Sequence, residues 1–277
     1  MKRYSLINCL ALAALVLMAS CKKDLLDITP TDRVSETALL SDSSLFEDFV
    51  VARYIGTKLQ DKEGDGTNPG FGRGFEYAMW SSLTDESIYN NDDATWLIQR
   101  GLLAPENLGN AGVLWGRSYR GIRECNFALA NIANVPMSEG HKQLLKAEIR
   151  FIRAFRYQDL IRNYGGIVLM GDKVFNLDDN LQDASLFTRS TIKESMAYAM
   201  SELDAAATDL PINYSDSWKT GRATKGAALA LKSRLALYAA SPLYASGTWQ
   251  DAVTAAQAVI SLNKYSLFQG GYGALFL

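Results

Sequence analysis

The residues that could carry chemistry are few. The chain has a single histidine, His141, so a Ser-His-Asp triad or a multi-histidine zinc site would have to use that one side chain. It lies in Ser138-Glu139-Gly140-His141-Lys142, which reads as the solvated first turn of a helix and gives it a structural or surface role. Asp85-Glu86 and Asp92-Asp93 resemble glycosidase carboxylates only in type. Hydrolysis needs two opposed carboxyls, one of them with a raised pKa, whereas adjacent acids are common on solvated loops. Gly70-Phe71-Gly72-Arg73-Gly74 lacks the strand and helix that frame a phosphate loop. Asp61-Lys62-Glu63-Gly64-Asp65-Gly66 opens like a calcium loop, but its twelfth position is Gly72, where a bidentate Glu belongs. No catalytic residue and no cofactor are expected, and a loosely held calcium ion is the one metal that stretch could take.

Aromatic residues beside amides offer a different chemistry. A sugar presents a flat apolar face and a rim of hydroxyls, so a platform for it needs exposed rings with hydrogen-bonding neighbours. Trp96 follows Asn90-Asn91-Asp92-Asp93, with Tyr89 just before. Trp80 follows Tyr77, and Trp218 lies in the polar run Asn213-Tyr214-Ser215-Asp216-Ser217-Trp218-Lys219. Trp96, Tyr89, Asn90, Trp80, Tyr77 and Trp218 are therefore the candidate ligand contacts; packing of these rings against helices is the alternative for each. Trp115 and Trp249 fall on helical stripes and are expected in the core.

One cysteine has a distinct role. Lys2 and Arg3 precede an apolar stretch from Leu10 to Met18, too short to span a bilayer and of the right size for a secretion signal. The stretch ends in Met18-Ala19-Ser20-Cys21, the pattern of a bacterial lipoprotein signal, in which the Cys21 thiol is lipidated and becomes the new N-terminus. Met18 stands where Leu is usual. Several acyl chains would hold the protein stably at a membrane, since each buried methylene contributes about 0.8 kcal/mol. The segment Lys22-Lys23-Asp24 onward is polar, carries Pro30 and reads as a tether. The only later thiol is Cys125, so the mature chain can form no internal disulfide.

The rest of the chain must position these groups. With 28 Lys and Arg against 30 Asp and Glu, a net charge of −2, it lacks the electrostatic footprint of a nucleic-acid binder. Helical periodicity dominates. A first helix is expected from Ser44, where Ser44-Leu45-Phe46-Glu47 reads as a capping box, with Phe46, Phe49, Val50 and Tyr54 on one face. Residues 61–108 form a long irregular stretch, a length often tied to function. Helices then follow through Trp115 to Ala133, from Ser138 to the stop at Gly165-Gly166, from the cap Thr191-Ile192-Lys193-Glu194 to Leu210-Pro211, from Gly221-Arg222 to Ser241-Pro242, and from Thr248-Trp249-Gln250-Asp251 to a last end near Asn263. The final two have Ala-rich contact faces, and Trp249 with Ala252, Ala256 and Ile260 resembles a tetratricopeptide first helix. The fold class is all-α: TPR-like stacked helix pairs with long irregular, ligand-facing loops. The apolar ending Leu275-Phe276-Leu277 suggests that further sequence covers this surface.

Several segments, in order, resemble the SusD/RagB group of surface lipoproteins of Bacteroidetes-type bacteria. Trp115-Gly116-Arg117-Ser118-Tyr119-Arg120-Gly121-Ile122 with Glu124-Cys125-Asn126 is similar to one helix motif of the group. Its most recognisable stretch is matched by the run from Lys146-Ala147-Glu148 through Arg153-Ala154-Phe155-Arg156-Tyr157 to Asn163-Tyr164-Gly165-Gly166-Ile167. Gly221-Arg222-Ala223-Thr224-Lys225-Gly226 and Arg234-Leu235-Ala236-Leu237-Tyr238-Ala239-Ala240-Ser241-Pro242 match two more. Arg156 stands where Tyr or Ala is common, on a turn expected to face solvent. The resemblance implies a signal peptide over residues 1–20, a lipidated tether over 21–35, and an N-terminal helical domain over 36–277 that lacks a C-terminal half. It also implies a non-catalytic, lipid-anchored protein of the outer-membrane surface. Such a protein captures a nutrient, most often an oligosaccharide, for a SusC-type TonB-dependent transporter. The motif residues themselves read as scaffold: Glu148, Arg150, Arg153 and Arg162 are spaced for ion pairs along and between helices, and Asn126 needs a buried partner. The rival readings are a lipid-anchored glycosidase and a TPR-type envelope assembly scaffold.

Overall fold

The computed structural model describes residues 34–55, 80–88, 95–107, 110–176 and 178–276. Cys21, Tyr77, Tyr89, Asn90, Asp92-Asp93, the calcium-like segment and the Gly70–Gly74 run lie outside the described residues. The chain divides into two units, Met1–Leu39 and Leu40–Leu277. The first contributes residues 34–39, where the short helix α1 (Glu36–Ser41) begins. The second holds α2 (Ser43–Ile55), α3 (Thr95–Gln99), α4 (Asn110–Asn131), α5 (Glu139–Tyr164), α6 (Ile192–Asp209), α7 (Lys225–Ala240), α8 (Trp249–Ile260) and α9 (Gly271–Phe276). The described residues contain no strand, and none of their helices is long and apolar enough to cross a membrane.

From α4 to α8 consecutive helices pack on one another. The connections enforce this, because each returns the chain to where it left. Ser190 N donates to Ile167 O at 2.8 Å, Lys225 N to Pro211 O at 2.9 Å, and Ser246 and Gly247 N both to Ala239 O at 2.9 Å. Successive helices therefore run antiparallel, as in stacked helix pairs. At the α7–α8 contact Ala236, Ala240, Ala252 and Ala255 form a small-residue seam with Met200 of α6 against it.

Local signals set most helix ends. Thr191 with Glu194 and Thr248 with Asp251 make complete capping boxes, and Ser138 caps α5 through the His141 amide. The Gly165-Gly166 pair divides two tasks. Gly165 takes φ 73° to end α5, and a Cβ on Gly166 would lie 2.3 Å from the Ser190 carbonyl oxygen. Elsewhere the sequence expectations need correction. The first long helix is capped by Asp42, whose Oδ1 accepts from Ser44 N at 2.7 Å and Leu45 N at 3.1 Å. Glu47 is thereby left to pair with Arg222. The helix expected from Gly221 starts at Lys225, because Thr224 supplies the cap. Arg156 does not face solvent: it is buried against α4, where Gly121 leaves room for its guanidinium. Burial lowers its pKa. Trp249 is 58% exposed rather than in the core, on the outer face of α8 with Val253 and Ile260.

The centre of the stack is α5. Ile149, Ile152, Leu160 and Ile161 are fully or almost fully buried, but so are Glu148 and Arg153 on the same helix. Buried charges persist only when paired and hydrogen-bonded, and here two clusters do this. In the first, Arg153 donates to Glu202 of α6 (Nη2 to Oε2, 2.6 Å), to Asn126 of α4 (2.7 Å), and to Gly171 O and Asp172 in the following loop. Arg150 donates to the other oxygen of Glu202 at 2.9 Å. Burial alone would lower Arg153, but the Glu202 charge reverses this and holds the guanidinium well above its ordinary value. In the second cluster, Glu148 accepts from Tyr54 of α2 at 3.0 Å, from Tyr214 at 3.0 Å and from Arg222 Nε at 2.9 Å. Arg222 reaches on to Glu47, which also lies 3.2 Å from His141 Nε2. Burial, reinforced by Glu148, pushes the Tyr54 phenol far up and keeps it a donor.

Glu202→Ala would leave Arg153 buried beside a void. The expected loss is about 3–5 kcal/mol of unfolding free energy, read as a lower denaturant midpoint at unchanged slope. A loss below about 1 kcal/mol would show that Asp172 and Asn126 alone satisfy the guanidinium.

Candidate functional site: an aromatic groove beside the fourth helix

One face of α4 is left uncovered where the loop between α5 and α6 passes beside it. The space between is a groove of about 580 Å³. Its helix wall carries Trp115, Tyr119, Arg123 and Asn126; its loop wall carries Val168, Met170, Lys173, Phe175 and Phe187. The helix residues follow one another at spacings of three or four, one turn apart, so a single stripe faces the groove.

Hydrogen bonds hold the loop in place at its base. The Tyr119 hydroxyl donates to Val168 O and accepts from Val168 N, both at 2.9 Å. Tyr157 Oη accepts from Met170 N at 3.1 Å, and Asn126 Nδ2 donates to Lys173 O at 2.8 Å. Asn126 thus finds its partner in loop backbone, while its oxygen serves Arg153. Burial pushes the Tyr119 phenol up to about 12, against the Val168 hydrogen bond and the Arg189 charge.

The rings are arranged in two groups. Trp115 sits 4.9 Å from Tyr119 and meets Tyr164 edge-on at 5.1 Å. Phe175 and Phe187 stack at 5.9 Å with 25° between their planes. Phe187 is 43% exposed, a high value for so large an apolar ring in a loop. Cations cover two of the rings: Arg189 lies 5.0 Å from the Trp115 centroid and Lys173 Nζ 4.7 Å from that of Phe175. No carboxylate lines the groove among the described residues. Flat rings and cations are the groups this groove presents.

A second cavity of about 470 Å³ lies among Ser44, Glu47, Asp48, Tyr54 and Arg222. Glu47, Tyr54 and Arg222 are already committed to the Glu148 cluster, which makes this space part of the scaffold. No group of three or more His, Cys, Asp or Glu that could hold a metal occurs among the described residues.

The backbones of two sequence candidates fall near the groove. Trp80 opens a 3-10 turn (Trp80–Leu83) and Trp96 lies in α3. These elements pack together, tied by Gln99 Nε2 donating to Thr84 O and Ser87 O. Leu83 and Ile98 dock on Leu114 of α4, immediately before Trp115, together with Tyr164. Trp218 lies in a separate turn (Ser217–Lys219) between α6 and α7. The side chains of all three are outside the described residues. Asp85 and Glu86 are exposed. The groove residues escaped the sequence reading. Trp115, expected in the core, is a half-buried groove wall, and the other wall lies within residues 168–187, between two expected helices. Two phenylalanines in a stretch otherwise rich in Asp and Asn were the available signal.

Tyr119→Phe removes both bonds to Val168. It should cost about 1–2 kcal/mol and speed hydrogen exchange in residues 167–176, with α7 and α8 unchanged; equal exchange in both proteins would show that the loop is held elsewhere.

Residues 72–237 match the SusD-like family described as starch-binding and associating with outer membrane. Among solved structures the chain is similar to a SusD-like protein from Bacteroides fragilis, at 26% identity and a TM-score of 0.61, over 88% of this chain and 42% of that one. A SusD-like carbohydrate binding protein from the same species matches at 23% identity and a TM-score of 0.64, over 83% and 42%. A laminarin binding SusD-like protein shares the fold at 18% identity and a TM-score of 0.59, over 79% and 43%. The chain thus spans less than half the length of the solved structures it matches. No sequence among curated proteins matches it. With four ordered motifs, a stack of paired helices and a family match over more than half its length, the chain belongs to the SusD/RagB family of SusD-like proteins.

Proposed function

We propose that this protein is a non-catalytic, lipid-anchored receptor of the outer-membrane surface. It captures an oligosaccharide and passes it to a SusC-type TonB-dependent transporter. Family membership supports the class, and the names of its structural relatives, carbohydrate binding and laminarin binding, point to the ligand. The Met18-Ala19-Ser20-Cys21 sequence supports the anchor. The single observation that carries the ligand reading is the groove: rings suited to stacking on sugar faces, with cationic groups at its rim. Trp80 and Trp96, on elements that dock beside Leu114, are proposed to extend this surface, and Tyr77, Tyr89, Asn90 and Trp218 are further proposed ligand contacts.

The test is a glycan array on the chain, followed by titration of the best ligand against Phe187→Ala and Trp96→Ala. Each substitution should weaken binding about tenfold, about 1.4 kcal/mol, with the helical spectrum unchanged. Unaltered affinity in both would dismiss the two surfaces together. In cells, Cys21→Ser should move the protein from the membrane to the soluble fraction; continued membrane association would refute the anchor.

A further inference from the structure

We propose that the groove selects acidic oligosaccharides, chains bearing a carboxylate or sulfate on the sugar ring, over neutral ones. This rests on the reading of the groove as a glycan site and adds the chemical class of the glycan.

The charge around the groove is one-sided. Arg123, Lys173 and Arg189 are all exposed, and all lie at the groove or over one of its rings. None of the three has an ion-pair partner among the described residues. Two of the acids nearby are ion-paired elsewhere, and Asp178, Asp179 and Asp183 of the loop do not line the groove. Asp172, next to Lys173, is ion-paired at 2.6 Å with the buried Arg153. Glu124, next to Arg123, is ion-paired with Arg53 of α2. Asp183 feels the Lys173 charge, but its carboxylate accepts from the Ser185 amide at 2.9 Å. Asp179 is turned to Asn176 N at 2.8 Å. A net charge of −2 for the chain makes a local excess of cations a property of this site and not of the whole surface.

Ring and cation are also placed as an acidic sugar needs them. A uronate or sulfated sugar carries its anion at the ring edge and keeps its faces apolar. Stacked on the exposed Phe187 it would present that edge to the rim, where a guanidinium can grip a carboxylate or sulfate through two parallel N–H donors. A neutral sugar would leave those cations in water and gain only the stacking.

The experiment titrates the whole chain with three probes of equal length: an oligogalacturonate, a sulfated carrageenan oligosaccharide and a neutral maltooligosaccharide. At least one acidic probe should bind about tenfold more tightly than the neutral one. That ratio should collapse toward one in the triple variant Arg123→Gln, Lys173→Gln, Arg189→Gln, and also in about 1 M salt, where screening shortens to about 3 Å. Preference for the uronate or for the sulfated chain names the anion, and either supports the proposal. If the neutral chain binds as well as both acidic ones while Phe187→Ala still weakens it, the groove reading survives and the acidic preference is wrong. If Phe187→Ala changes the affinity for none of the probes, or none binds, the site and its preference fall together.

Discussion

The structure depends on how α5 neutralises the charges it buries. Glu148 and Arg153 are both 0% exposed, and an isolated charge at such a place would cost far more than the fold's net stability. Each must therefore meet specific partners: Tyr54, Tyr214 and Arg222 for Glu148; Glu202, Asn126 and Asp172 for Arg153. These partners come from α2, α4, α6 and two loops. The pairs add little net stability beyond what an apolar core would supply. Their effect is on register, because α6 displaced by one turn on α5 would take Glu202 away from both Arg150 and Arg153. The bulk of the stabilisation comes from apolar burial around them, through Ile149, Ile152, Leu160 and Ile161 on α5 with Ile122 and Leu203 on its neighbours.

The groove is a by-product of that same arrangement. Asn126 and Asp172 both hold Arg153, so the helix wall and the loop wall are tied to one buried guanidinium. Tyr119 and Tyr157 then fix the loop backbone from below. The rings facing the groove are therefore set by the scaffold. Motif residues hold the walls, while loop residues such as Lys173, Phe175 and Phe187 decide what the walls present.

Residues of one motif can therefore serve both scaffold and site. Trp115 and Tyr119 belong to the helix motif that marks the family, yet both face the groove. Burial on one side and exposure on the other lets a large ring do this. Arg156 shows the reverse: a departure from the usual residue at its position proves to be buried, fitted into the space left by Gly121.

Interactions that close within a few residues were legible in the sequence. The capping boxes at Thr191 and Thr248, the stop at Gly165-Gly166, the apolar stripes and the all-α, paired-helix class depend only on local geometry, so residue order determines them. The need of Glu148 and Arg153 for partners was legible too, since no helix buries them unpaired. Which partners they meet was not, because Tyr54, Glu202 and Arg222 lie tens of residues away along the chain. The Asp42 cap was missed because Asp42 and Ser44 are both good caps, and the choice fell to whichever left Glu47 able to reach Arg222. The outward turn of Trp249 and the groove-facing position of Trp115 depend on which helix face finds a neighbour. The groove exists only once a loop closed by Ser190 and Ile167 is laid beside α4. Local sequence could set the elements because their bonds are short in chain distance; only tertiary packing could set the site, because its two walls are separated by about fifty residues.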